Sequence, residues 1–250
     1  MSSVAVRHVG DASPKAMARI AGLLYLGIIA FGLFADIFVH ERLVAYRDPA
    51  ANILAHENLY RSGGVAILMM LACDVGVSII LYVLLKPVNR LLSLIAASFR
   101  LMQVAVLSVG ALAHFAALVF VNSRQVLSAF NENQLNDFSL VSAKLYSQDF
   151  NIGMVFFGVH CLILGYLIAR AYFLPRILGL LIAIAGCFYL ISSFFSFLSP
   201  AIAGQVFYYL MLPCYLMLPC FIAELALTVW LVLRGVDEVR WREQVSRSSA

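Results

Sequence analysis

The sequence predicts an all-α protein, a polytopic membrane bundle of six transmembrane helices. Three observations predict it. Apolar residues fill 63% of the 250 positions and charged residues only 12%, where soluble domains carry about 25% charge. Mean hydropathy is +0.95. The apolar residues gather in runs of roughly 20 or more, the length a helix needs to cross a hydrocarbon layer of about 30 Å. These runs occupy residues 15–236 as a single domain, between a polar N-terminal tail at 1–14 and a tail at 237–250, and leave no room for a separate soluble domain.

Each element has a local reason. Ser13-Pro14 reads as an N-cap followed by Pro at the first helical position, so a first helix is expected from Lys15 to Val39. The first apolar run is too long for a signal-peptide core, so no cleavable leader is expected. After a polar stretch at 40–58, the second helix runs from Leu59 to Leu85 and stops at Lys86-Pro87, because Pro disfavours helix in the residue before it. The third spans Leu91–Val121. The connection 122–149 is polar, but Leu127, Phe130, Leu135, Phe138, Val141 and Leu145 fall at near-helical spacing, which predicts a short amphipathic helix on the outer membrane surface. The fourth span is Phe150–Ala169. Pro175 opens the fifth, which ends at Leu198 before Ser199-Pro200, and the sixth runs from Gln205 to Leu233.

Lys and Arg orient the bundle. One side collects eleven of them, at Arg7, Lys15, Arg19, Lys86, Arg90, Arg170, Arg176, Arg234, Arg240, Arg242 and Arg247. The other side has five, at Arg42, Arg47, Arg61, Arg124 and Lys144. Both termini are therefore expected in the cytoplasm and the protein in the cell inner membrane as a multi-pass chain. The net charge of +4 comes mostly from Arg beside the helices, which fits orientation and not nucleic-acid binding. The lipid bilayer is the implied partner. Nothing in the sequence fixes an oligomeric state.

Five cysteines lie in apolar runs with no CxxC spacing, which argues against a disulfide framework or zinc knuckle and for small packing residues. Gly158 and Gly165, and Gly179, Ala183 and Gly186, punctuate the fourth and fifth helices and predict close helix packing.

A candidate site comes from counting. Arg170 lies ten residues from His160, Arg90 ten from Arg100, Arg234 ten from Glu224, and Lys86 twelve from Asp74. At 1.5 Å rise per residue all four inner groups sit roughly 15–18 Å from the same edge, near mid-bilayer. A charge there costs at least about 2.5 kcal/mol unless it faces inward and pairs. Asp74 and Arg100 flank one hairpin and are expected to form an ion pair. Asp74, Glu224 and Arg100 leave one negative charge, which a proton shared between His160 and a carboxylate would neutralise. Helical spacing extends the site to Gln103 and His114 beside Arg100, Ser78 beside Asp74, and Thr228 beside Glu224. Tyr189, Ser192, Ser193 and Ser196 form a hydroxyl patch toward the outer half, and Tyr25 and Asp36 share a stripe on helix one. No metal site is expected: no two ligands share an i, i+4 face, and Arg100 opposes a cation. No cofactor is expected, and no local signature marks a nucleophilic serine. The hexamer YLMLPC occurs twice at 209–220, and its two prolines, Pro213 and Pro219, are expected to kink or break the sixth helix.

The stretches ARIAGLLYLGIIAFGLFAD (18–36), LYVLLKPVNRLLSLIAASFRLMQ (81–103), MVFFGVHCLILGYLI (154–168), LPRILGLLIAIAGCFYLISSF (174–194) and LPCFIAELALTVWLVLRGV (218–236) together resemble the bacterial membrane-protein family catalogued as domain of unknown function 4386. The resemblance implies a six-helix bundle with counterparts of Arg100, His160 and Glu224. It implies no reaction, and the doubled hexamer departs from the family's pattern. Three functions stay open on the sequence: a small transporter or ligand-binding bundle with a midplane polar site for a proton or small molecule, a structural or regulatory membrane protein whose buried charges only specify packing, and an intramembrane enzyme.

Overall fold

A computed structural model describes residues 13–44, 49–122, 130–198 and 212–248. Among them there is helix and no strand. The elements are α1 (Pro14–Leu33, continued as π-helix over Phe34–Glu41), α2 (Pro49–Ala55), α3 (Glu57–Leu85), α4 (Arg90–Asn122), α5 (Glu132–Arg170), α6 (Arg176–Leu198), α7 (Leu212–Leu233) and α8 (Glu238–Ser248). Five of these are long and apolar enough to cross a membrane. The number is six if the bent pair α7–α8 is counted as one span.

The six long helices close into a ring. Each packs on the next, α1 on α3, α3 on α4, α4 on α5, α5 on α6 and α6 on α7, and α7 returns to α1. Apolar side chains pack inside the ring in three clusters. One holds Ala18, Leu84, Leu167, Ile182 and Leu231, a second holds Ile67, Leu71 and Leu107, and a third holds Val39, Ile53 and Leu118. The expected boundaries hold closely. The Ser13 hydroxyl accepts from the Ala16 amide at 3.1 Å and Pro14 opens the helix, as the Ser-Pro pair predicts.

One element differs. The connection expected to carry a separate surface helix is helical from Glu132, but it continues into the fourth span without a break. The result is a single helix of 39 residues, about 58 Å long at the standard rise. The reason is in the sequence. No Gly or Pro falls between Glu132 and Ile152, so nothing interrupts the helix. A capping box starts it: Asn131 Oδ1 accepts from the Gln134 amide and Gln134 Oε1 accepts from the Asn131 amide, both at 2.9 Å. Its N-terminal half lies along α4, with the Phe120 and Phe138 rings 5.5 Å apart.

The close α5–α6 approach rests on glycine. A Cβ at Gly165 would lie 2.6 Å from the Gly179 carbonyl oxygen, and one at Gly179 would lie 2.5 Å from that of Gly165. Gly158 and Gly186 repeat the arrangement about two turns away.

At one end of the bundle the chain turns sharply. α7 and α8 meet at 102°. Gly235, at φ 68°, makes the turn, and its amide donates to the Trp230 carbonyl at 3.0 Å. α8 then docks across the ends of its neighbours. Trp241 Nε1 donates to the Leu84 carbonyl at 3.0 Å, and Gln244 Oε1 accepts from the Tyr172 amide at 3.1 Å. The start of α1, the α3–α4 turn and the α5–α6 turn, all rich in Lys and Arg, are thereby gathered at this end.

α7 runs continuously through Pro219. Of the kink or break expected there, the break does not form, and the helix carries the proline inside it. Pro213 is the second described residue of α7. The start of the first hexamer, 209–211, and the expected helical residues 205–211 lie outside the described residues.

Candidate functional site

The counted residues meet. Arg100 on α4 is nearly solvent-free, at 1% exposure, and its guanidinium forms a direct ion pair with Asp74 on α3. Its Nη1 lies 3.2 Å from His160 Nε2 on α5. His160 Nδ1 lies 2.8 Å from the Ala96 carbonyl oxygen. A carbonyl only accepts, so Nδ1 carries the ring proton. A guanidinium only donates, so Nε2 accepts. Both ring nitrogens of His160 are therefore engaged, as a neutral Nδ1–H imidazole.

The fourth group, Glu224 on α7, joins through tyrosines. Tyr25 on α1 donates its hydroxyl to Glu224 Oε2 at 3.2 Å, and Tyr189 on α6 donates to Oε1. Tyr25 also presents its ring face to Arg100, with the guanidinium carbon 4.8 Å from the ring centroid, and Phe157 stands 5.3 Å away. Two aromatic faces thus flank the buried cation, an arrangement that stabilises a desolvated guanidinium. Every long helix of the ring contributes a member: Tyr25, Asp74, Arg100, His160, Tyr189 and Glu224.

The supporting residues divide. Gln103 belongs to the cluster: its Nε2 donates to Asp74 Oδ2 at 3.4 Å. Its Oε1 has no partner, although the residue is only 4% exposed. The amide orientation is fixed by chemistry, since the reverse would set Oε1 against the Asp74 carboxylate. Ser78 donates to the Ala97 carbonyl at 3.2 Å and ties α3 to α4. Thr228 donates back to the Glu224 carbonyl at 2.7 Å, within its own helix.

His114 does not join the cluster. Fourteen residues at 1.5 Å each place it about 21 Å along α4 from Arg100, too far for contact despite the shared stripe. It stacks instead on Tyr60, with ring centroids 4.0 Å apart, and its Nε2 donates to the Tyr60 carbonyl at 3.0 Å. The Tyr60 hydroxyl returns a bond to the His114 carbonyl at 3.1 Å.

A cavity of about 200 Å³ opens beside the cluster. Asp74, Arg100, Gln103, Tyr189 and Glu224 form its polar wall, and Ile28, Met154, Phe157 and Phe221 are among its apolar walls. His160 is not on its surface. Asp36, in the π-helical segment, lines the far end and accepts from the Tyr146 hydroxyl at 3.2 Å. π-Helical turns within α-helices recur at functional sites, because the extra residue re-aims its neighbours.

Sequence reasoning named Tyr25 and Tyr189 but did not place them in the cluster. Tyr25 lay on the right stripe of helix one. Tyr189 belongs by spacing to the hydroxyl patch of Ser192, Ser193 and Ser196, but its hydroxyl reaches Glu224. The signal for both was depth. Tyr189 lies thirteen residues from Arg176 and Tyr25 ten from Lys15, close to the ten to twelve that located the four charged groups.

Among the described residues, no three His, Cys, Asp or Glu side chains converge as metal ligands. Arg100 itself separates Asp74 from His160.

The sequence profile described as Domain of unknown function (DUF4386) matches residues 20–235. An uncharacterized protein of Archaeoglobus fulgidus is 28% identical over 171 residues, which covers 68% of this chain and 82% of that one. No solved structure matches.

Proposed function

The chain belongs to the family described as Domain of unknown function (DUF4386), and from that premise we propose that it is a membrane protein that binds or transports a small solute in its mid-depth cavity, with Glu224 as the exchangeable proton site. The observation that carries this reading is the cavity itself. It meets the polar cluster on one wall, with Glu224 and Gln103 at its surface, while its other walls are apolar. A cluster built only for packing has no use for roughly 200 Å³ of space.

The cluster separates into two parts with different work. Arg100 pairs with Asp74 on one side and His160 on the other and so ties α3, α4 and α5 together. Glu224 is held by hydroxyls alone, which satisfy either a carboxylate or a carboxylic acid, since a tyrosine O–H both donates and accepts. The proton role therefore falls to Glu224, and His160 orients Arg100 from behind. The eleven-to-five distribution of Lys and Arg supports an inner-membrane location with both termini in the cytoplasm.

Infrared difference spectroscopy of the reconstituted protein across a pH series tests this. The expected result is a carboxylic-acid carbonyl band that responds to bulk pH and disappears in Glu224→Gln. A Glu224 band that ignores bulk pH, or no band assignable to Glu224, overturns the proton role.

A further inference from the structure

We infer that the cavity takes a small amine or ammonium compound with an apolar, ring-sized body. This deepens the reading above and rests on it.

The argument begins with the hydrogen-bonding capacity of the wall. Arg100 is bound to Asp74 and His160, and the Gln103 amide N–H₂ to Asp74. The Tyr25 and Tyr189 hydroxyls point at Glu224. The wall's donors are thus engaged. What stays unsatisfied is an acceptor: Gln103 Oε1, which has no partner and no accessible surface, so a ligand meets it once the Gln103 side chain turns toward the cavity that the residue lines. An unsatisfied buried amide oxygen is unfavourable by an amount comparable to a lost hydrogen bond, and only a donor relieves it. A ligand that offers acceptors alone finds nothing to bind.

Charge points the same way. Asp74 neutralises Arg100 by direct pairing, so Arg100 no longer sets the sign of the field in the cavity. Glu224 does, and nothing cationic pairs with it directly. A protonated amine supplies both the missing donor and the missing positive charge. A carboxylate or phosphate would face Glu224 with like charge.

Size and surface fix the remainder. An apolar cavity of about 150 Å³ holds benzene, so about 200 Å³ holds a ring with a short arm. Phe157 and Phe221 offer aromatic surface for the ring or for the cation beside it.

Titration calorimetry on the purified full-length protein tests the class with three shape-matched probes: 2-phenylethylamine, 3-phenylpropionate and propylbenzene. The amine is expected to bind roughly ten- to a hundredfold more tightly than the other two, the span of one charge-assisted hydrogen bond. Glu224→Gln is expected to lower amine affinity by a similar factor. Gly32→Ala, whose added Cβ would point beside the cavity 3.4 Å from Met70 Sδ, is expected to keep the fold and weaken all binding. Gly32→Leu, checked for folding by its melt, is the stronger version. If propylbenzene or phenylpropionate binds as well as the amine, the ligand class is overturned and the cavity reading survives. If folded protein binds none of the three, both are overturned.

Discussion

Arg100 and His160 meet through Nη1 and Nε2 at 3.2 Å, and the contact fixes the state of the imidazole. With Nδ1 donating to Ala96, the ring has one arrangement that satisfies both neighbours. Nitrogen NMR of labelled His160 is expected to show the neutral Nδ1–H tautomer. An Nε2–H tautomer or an imidazolium would contradict the geometry. His160→Ala leaves one guanidinium N–H without its acceptor and the Ala96 carbonyl with its intrahelical bond alone, and is expected to destabilise the bundle by about 1–3 kcal/mol.

The Asp74–Arg100 pair has a sharper signature. Removing either partner leaves a buried charge alone, so Asp74→Asn and Arg100→Gln are each expected to destabilise by about 3–5 kcal/mol. The double substitution is expected to cost much less than the sum. Unfolding of the four proteins in one detergent measures the coupling, and strict additivity would exclude the ion pair as a unit.

Between α5 and α6 the backbones meet at Gly165 and Gly179, where an added Cβ would strike a carbonyl oxygen or backbone nitrogen and no flexible side chain can yield. Gly165→Ala is expected to force the helices apart and destabilise by about 1–3 kcal/mol. A melting temperature equal to that of the parent would mean the approach is looser than described.

At the C-terminal end of α7, Trp241 anchors α8 through the Leu84 carbonyl. Trp241→Phe deletes one hydrogen bond, worth about 0.5–1.5 kcal/mol, and is expected to speed proteolytic cleavage between Val236 and Ser248 while leaving the ring intact. The same docking depends on pH. The Ser13 hydroxyl, with the Lys15 amide behind it, holds the exposed Glu238 carboxyl below the ordinary glutamate range. A depressed carboxylate stabilises the folded state above its unfolded pKa, and that stabilisation is lost as pH falls through the folded value. Cleavage at α8 is therefore expected to quicken in acid, and less so in Glu238→Gln, which has no proton to gain.

How much of this was legible in the sequence follows from what each feature depends on. Span number and order were legible because hydropathy is local and so are the stops at Lys86-Pro87 and Pro175. The Asp74–Arg100 pair was legible because a short hairpin converts residue counts into depth. His114 was misplaced because a shared stripe gives direction around a helix but says nothing about distance along it. The fusion of the outer helix with the fourth span was written in the Asn131–Gln134 capping box and the uninterrupted residues after it, but polarity was read there in preference to caps. The cavity was not legible at all. It is a volume left between six helices, and no single helix encodes it.

The unbroken α5 is a lever. A rod of about 58 Å joins Phe138, packed on the outer end of α4, to Phe157 and His160 at the charged cluster. Its fulcrum is the pair of glycine contacts with α6. Phe157 and His160 sit at that fulcrum, where a tilt of the other arm moves them least, so the contacts hold one wall of the cavity and the imidazole that steadies Arg100 in place.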